Sequence, residues 1–358
     1  MARSLRRWLW VVVIAAVFAL VIHHFATSEE WRAFRWSELW RSLRNTHPGY
    51  ILAAVVATMS TYLWRALRWS YFLAGVGKVP LRIHFSGQVI GFSCIYLVGR
   101  AGELARPAYV AHKGEVPWAS MAAVWFLERV YDAVFLLLIL AASLYLFPPA
   151  HEGVESSRVL QGLTQSGKIL IWIAGALVAG LVIFRLYVER ILSYLSHPSR
   201  YFSLSGRSGG RIKSWIRSFA SGLEVVENWR AFAGSMVCSV LVWIANLSVF
   251  WLVAQGVGGE AARIPWLALG VPMFCGVIGL AVQVPGVGGG YQVAAALGFT
   301  EVLGIDAVPA TSVALLTWLV IMAPATLLGI VLMVREGLSV GKLRLWAAEG
   351  KASPGGGP

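Results

Sequence analysis

The sequence contains very few acidic residues, and aspartate is the scarcest of them. Only Asp132 and Asp306 occur in 358 residues, without a DxD or paired-acid motif. Metal-dependent lipid or sugar transferases need clustered carboxylates, so we expect neither an enzyme of this kind nor a cofactor. The three cysteines, Cys94, Cys238 and Cys275, lie in apolar runs without CxxC spacing, which argues against a disulfide framework or a metal site.

Charged residues are scarce as a whole, at 13%, whereas hydrophobic residues make up 58% and the mean hydropathy is +0.69. These values lie beyond those of soluble domains and predict an all-α, polytopic integral membrane protein. The net charge of +13 comes from basic residues between apolar runs. Anionic lipids of the inner leaflet are therefore the expected partners of this charge, and nucleic acid is not.

The apolar runs predict about six spanning helices. The first, residues 8–25, follows three arginines and is interpreted as an uncleaved helix, with a cleaved signal peptide as the alternative. Residues 28–46 have the spacing of an amphipathic helix at the membrane surface. The other spans are predicted at 49–73, 118–147, 168–187, 232–255 and 308–334.

Two further apolar regions, 84–113 and 265–304, are each interrupted by a glycine-bearing break, at 99–103 and 285–290. Each region is too long for one helix, and glycines strung together do not sustain a helix. Backbone groups left open at membrane depth survive only where protein or a watery cavity covers them. We therefore predict two re-entrant helical hairpins, and paired interruptions of this kind indicate the central site of a transporter.

Basic residues set the predicted orientation. Loop 188–230 carries seven lysines and arginines, whereas 148–167 carries only Arg158. The loop, which includes a basic amphipathic stretch, is therefore placed in the cytoplasm. Both termini are placed there too, and the protein is assigned to the cell membrane. The final residues, 341–358, are expected to form a disordered tail.

This orientation exposes an internal symmetry within one transmembrane domain, residues 1–340. Residues 49–147 and 232–334 each read as span, hairpin and span, but the two copies run with opposite topology. The first hairpin enters from the cytoplasm and the second from outside. Such inverted repeats supply the two near-equivalent states that alternating access requires.

Charges at membrane depth need a partner or a task. Six of them fall at or shortly after the first break: Arg100, Glu103, Arg106, Glu128, Arg129 and Asp132. One interpretation places Arg100 and Arg106 on a lipid phosphate, which a guanidinium binds bidentately. The carboxylates would then hold these arginines or meet a cationic headgroup. The alternative is a buried structural ion-pair network, and Arg65 and Arg68 are expected to snorkel to the inner surface.

The second break carries no charge, so its expected contribution is open backbone amides and clearance for a ligand. The open amides and the clearance are expected at Gly286, Gly288 and Gly289, and the Gln292 side chain is expected to add one hydrogen bond. The aromatic residues of the spans are interpreted as packing or as interfacial belts.

These motifs resemble the flippase-like membrane domain of lysylphosphatidylglycerol synthases and its stand-alone relatives. The family shows Gly-x-x-Gly-Glu before Arg-Pro, then Glu-Arg-x-x-Asp, then Pro-Gly-x-x-Gly followed by Glu or Gln. In this chain the three motifs are 99–103 before Arg106-Pro107, 128–132, and 285–289 before Gln292. Gln292 stands where many members have Glu, and no aminoacyl-transferase domain follows the last span.

The resemblance implies translocation of a phosphate-bearing lipid or lipid-linked precursor between leaflets. Without a nucleotide-binding loop, transport would be downhill or coupled to an ion. Two alternatives stay open: an accessory subunit of an enzyme that modifies cell-envelope lipids or glycans, or such an enzyme itself.

Overall fold

The computed structural model describes residues 35–148, scattered positions between 169 and 190, 228–280, 283–284, 288–343 and 345–346. Five helices in this part of the chain are long and apolar enough to cross a membrane, which confirms the all-α, polytopic class. The helices are α1 (Trp36–Asn45), α2 (Pro48–Phe72), α3 (Leu81–Val98), α4 (Ala105–Lys113), α5 (Trp118–Leu146), α6 (Trp229–Val257), α7 (Gly270–Gly279), α8 (Gly290–Leu297) and α9 (Ala307–Arg335).

Four of the predicted spans correspond to α2, α5, α6 and α9, with ends within three residues of the predicted ones. The described positions between 169 and 190 are helical, whereas the predicted first span and most of loop 188–230 lie outside the described residues. Local sequence explains the helix starts. Pro48 occupies the first turn of α2, and the Asn228 side chain accepts hydrogen bonds from the backbone of Arg230 and Ala231 at the start of α6.

The first predicted hairpin consists of α3 and α4, joined by a 3₁₀ turn over Gly99–Leu104. The two helices fold back on each other, since Gly87 packs against Val110 and Gly91 packs against Arg106. A Cβ atom at Gly91 would collide with Arg106, so small residues allow the close approach. The break is therefore a tight helical turn.

The second predicted hairpin consists of α7 and α8, which also lie antiparallel. Gly279 meets the backbone of Gly290, and Gly298, just beyond α8, meets Pro272 near the start of α7. Near the tip, strand β1 (Gln283–Val284) pairs with β2 (Gly288–Gly289) in an antiparallel two-residue ladder. The second break is thus bridged by backbone pairing, which satisfies part of the backbone that the sequence left open.

The two hairpins open at opposite ends of the helix bundle. At the open end of the first, Lys113 forms an ion pair of 3.2 Å with Glu336, just after α9 ends. At the open end of the second, the backbone N–H of Asp306, just before α9 begins, donates to Glu260 at 3.5 Å. Each hairpin therefore returns to the end of the bundle from which it started.

The remaining contacts have the pattern that an inverted repeat predicts. Helices α2 and α6, the first of each copy, lie antiparallel, with Tyr50 beside Gly256 and Tyr71 beside Gly234. Between the copies, α3 packs on α9, and its counterpart α7 packs on α5. Within each copy, α4 contacts α5, and α8 contacts α9.

Short segments flank this bundle at both ends. Helix α1 agrees with the predicted amphipathic helix, because Leu39 is buried while Trp36 and Trp40 are exposed. The prediction of a disordered tail from residue 341 onward places the start of the tail too early. The chain is helical at 340–343 and 345–346, and Leu343 is buried in the core, since its apolar side chain finds a partner surface on the bundle.

Candidate functional site

A cluster of ionised side chains lies between α2 and α5, with Glu128 at its centre. The fully buried Arg68 donates to Glu128 at 2.7 Å and to Asp132 at 2.9 Å. Arg68 and Arg65 lie one turn apart on α2, as Glu128 and Asp132 do on α5, so two arginines face two carboxylates across the helix interface. Arg65 is more loosely held, at 3.5 Å from Glu128 and 3.3 Å from Asp132.

The first hairpin contributes Arg106 to the same cluster. Its guanidinium is fully buried, lies 2.7 Å from Glu128 and donates to Gln88 at 2.9 Å. The rings of Trp69 and Phe92 flank it at 5.0 and 5.2 Å. Such a cation, paired and enclosed by aromatic faces, is anchored in the protein interior. The geometry at Arg106 matches the structural ion-pair alternative.

The outer side of the cluster is open. Arg129 lies 3.4 Å from Glu128 and 3.6 Å from Glu103, and its side chain is 39% exposed. Four arginines thus surround three carboxylates, which leaves one excess positive charge among the described side chains of the cluster. An excess cation at this depth suits an anionic ligand.

Next to the cluster, a cavity of about 130 Å³ lies where the two hairpins meet. Among the described residues that line it, Arg65 is the one with a charged side chain. The other lining residues are apolar or aromatic, apart from one amide: Phe92, Tyr96, Trp243, Asn246, Phe250, Met273, Val277, Leu280, Tyr291, Trp318 and Ile321. They come from both hairpins and from α2, α6 and α9, so any relative movement of the two halves changes the shape of the cavity.

Three of the lining residues carry polar atoms without a partner. The indole nitrogens of Trp243 and Trp318 and the hydroxyl of Tyr291 are buried and have no hydrogen bond within the part of the chain that the structure describes. Buried polar groups are normally paired, and leaving them unpaired costs free energy. Ligand pockets combine a largely apolar lining with a few polar groups, and these three side chains, whose polar atoms are themselves covered, bring such groups next to the cavity.

The structure places the predicted site residues in three groups. Glu103, Arg106, Glu128, Arg129 and Asp132 come together in the charged cluster. Two predicted positions are not described: the side chain of Arg100 and the whole of Gly286.

Residues of the second break lie at its hairpin. Gly288 pairs in β2, and Gly289 has φ of +94°. The Gln292 side chain accepts a hydrogen bond from the backbone of Gly289 at 2.7 Å and caps α8, which is a contact within the hairpin. The phosphate-binding role assigned to these residues stays a prediction.

The prediction for Arg65 and Arg68 was wrong. Neither side chain snorkels to the surface, since Arg68 is fully buried and both form ion pairs with α5. Snorkelling was inferred from their position near the end of a span, but the carboxylates of α5 hold them in the interior. Glu128 and Asp132 on one face were the available signal, since two buried acids require cations.

The aromatic lining of the cavity was also missed. Trp243, Tyr291 and Trp318 lie on three separate segments and were interpreted as packing or interfacial belts. Their shared cavity depends on how the hairpins fold back, which local spacing does not specify.

The fold and the cluster define a polytopic α-helical membrane protein with two opposed helical hairpins around a central site. The family model of the lysylphosphatidylglycerol synthase TM region matches residues 3–329, and the chain belongs to this family. This membership, which confirms the resemblance found in the motifs, relates the chain to lipid modification or transport. No curated protein matches it.

Proposed function

We propose that this protein binds a phosphate-bearing lipid at the centre of the membrane and moves it between leaflets. The observation that carries the proposal is the cavity between two hairpins that open to opposite ends of the bundle. A site bounded by both halves can be exposed to either side when one half rocks against the other.

The chemistry of the region supports a lipid as the ligand. The cavity wall is largely apolar and aromatic, Arg65 supplies one cation, and the neighbouring cluster carries excess positive charge. A headgroup would occupy the cavity while its acyl chains stay in the bilayer. Nothing in the proposal requires covalent change of the lipid, so we propose a transporter and not an enzyme.

Reconstitution of the full chain in lipid vesicles tests this function. Vesicles would carry a trace of fluorescent phosphatidylglycerol, and a membrane-impermeant reductant would quench the label in the outer leaflet. Without movement, quenching stops near one half, whereas a lipid transporter brings the inner pool outward and quenching approaches completion. Vesicles with an unrelated polytopic protein at equal density are the control.

The same vesicles separate the alternatives. An accessory subunit would leave the labelled lipid where it is, and an enzyme would convert it to a new species visible by thin-layer chromatography. Quenching that stops at one half in every preparation would contradict the transport proposal.

A further inference from the structure

We infer that the cavity between the hairpins selects an anionic headgroup, with Arg65 as its phosphate-binding residue, and rejects headgroups that carry an amine. The inference rests on the proposed function and deepens it by assigning the chemistry of the substrate. It also shifts the binding role from Arg106, which is enclosed, to an arginine in the cavity wall.

The first argument is the difference between Arg65 and the two enclosed arginines of the cluster, Arg68 and Arg106; the fourth, Arg129, does not line the cavity. The closest ion pairs of Arg68 and Arg106 are 2.7 Å, whereas those of Arg65 are 3.3 and 3.5 Å. Short charge-assisted pairs are the strong ones, so Arg65 gives up less than Arg68 or Arg106 when it turns to a ligand. It also lines the cavity, which Arg68 and Arg106 do not.

The second argument is the set of unpaired atoms. Trp243 and Trp318 line the cavity and carry indole N–H groups, which can only donate, and Tyr291 lines it and carries a hydroxyl. These three atoms are covered and have no partner among the described residues, so the side chains would turn to meet a bound ligand. Together with Arg65, these groups match a ligand rich in acceptor oxygens, and a phosphodiester fits this description. A water needs about 10–15 Å³ of such space, so 130 Å³ accommodates a group of several heavy atoms.

The third argument concerns what the wall lacks. Among the described residues that line the cavity there is no carboxylate, and the nearest ones, Glu128 and Asp132, are engaged with arginines. An ammonium group would find no carboxylate on the described wall and would lie beside the positive charge of Arg65, and like charges repel strongly where water is scarce. Zwitterionic and cationic headgroups are therefore disfavoured.

Binding to the purified full chain in detergent tests the inference. The probes are dioctanoyl phosphatidylglycerol, phosphatidylethanolamine and lysyl-phosphatidylglycerol, with inorganic phosphate as the lipid-free arm, measured by native mass spectrometry. We expect phosphatidylglycerol to bind at least tenfold more tightly than either amine-bearing lipid and than phosphate. Equal affinity for the amine-bearing lipids, or for phosphate alone, would overturn the inference, as would no binding of any lipid.

Two variants assign the site. Arg65→Gln should weaken phosphatidylglycerol binding at least tenfold and remove the preference over phosphatidylethanolamine. Because Arg65 also pairs with α5, a second variant, Tyr291→Phe, removes only an unpaired hydroxyl. It should weaken binding about threefold or more while the thermal midpoint stays the same or rises.

Tyr131→Phe is the matched control, because its hydroxyl lies 3.4 Å from Ser235, and Tyr131 is not among the cavity residues. It should leave lipid binding unchanged. If Tyr291→Phe and Arg65→Gln both bind like the unchanged protein, the cavity is not the site.

The vesicle assay keeps the two proposals distinguishable. If the unchanged protein moves lipid and Arg65→Gln binds lipid normally, the transport proposal is supported and the binding role of the cavity is refuted. Selective binding that depends on Arg65, without lipid movement, would support the cavity as the binding site and refute the transport proposal.

Discussion

At the scale of single residues, Glu128 holds the charged cluster together. It contacts all four arginines of the cluster and has no exposed surface. A buried ion pair contributes little net stability over an apolar pair, but removal of one partner leaves a charge that is buried and uncompensated. The fully buried Arg68 and Arg106 depend on Glu128 in this way.

We therefore expect Glu128→Gln to destabilise the fold by about 3–5 kcal/mol, because two buried guanidinium groups lose a counter-charge. A clear fall in the thermal midpoint of the purified protein in detergent would report this loss. Glu103→Gln is the control, since Glu103 is partly exposed and its one ion pair is 3.6 Å long. Equal midpoints for the two variants would show that the cluster is not a structural centre.

The residues of this cluster show where sequence reasoning ends. Charges in an apolar span are visible in the sequence, and five of the predicted site residues do meet around Glu128 or beside it. The ion pairs of Arg65 and Arg68 were not predicted, because they depend on which face of α2 turns toward α5. That rotation is decided by packing along the whole helix, and no local pattern records it.

At the scale of elements, the two hairpins depend on glycine for two different reasons. In the first, α4 and the 3₁₀ turn approach α3 so closely that even a Cβ atom is excluded, as at Gly91 against Arg106 and at Gly102 against the backbone of Cys94. At the tip of the second, Gly289 has φ of +94°, a conformation that other residues rarely adopt. The sequence predicted both breaks from glycine spacing, but the tight turn and the backbone ladder follow from tertiary contacts.

Gly289→Ala should therefore be destabilising, by about 1–3 kcal/mol, through backbone strain alone. A Cβ at Gly289 meets nothing within 4 Å, so steric collision does not contribute. Gly77→Ala is the matched control, because its surroundings are equally open and its φ is not positive. Thermal midpoints measured in one detergent compare the two, and an unchanged midpoint for Gly289→Ala would show that the tip relaxes freely.

At the scale of the whole molecule, the relation between the halves matters most. Helices α2 and α6 lie antiparallel along their length, so the two copies of span, hairpin and span face opposite ends. Hydropathy predicted the order of these elements because membrane thickness fixes span lengths. The cavity between the copies could not be predicted, because it is a gap left by the packing of five separate elements.

The opposed hairpins lead to a topology prediction that the proposed mechanism requires. In a background without Cys94, Cys238 and Cys275, single cysteines would replace Lys78, Lys113, Glu260 or Glu301, all of which are exposed. Lys78 and Lys113 flank the first hairpin and should label from the cytoplasm, where basic residues accumulate. Glu260 and Glu301 flank the second and should label from outside, measured with an impermeant maleimide on whole cells and on inverted vesicles. If the members of either pair label from opposite sides, that hairpin crosses the membrane, the two halves are not inverted copies, and alternating access around the cavity fails.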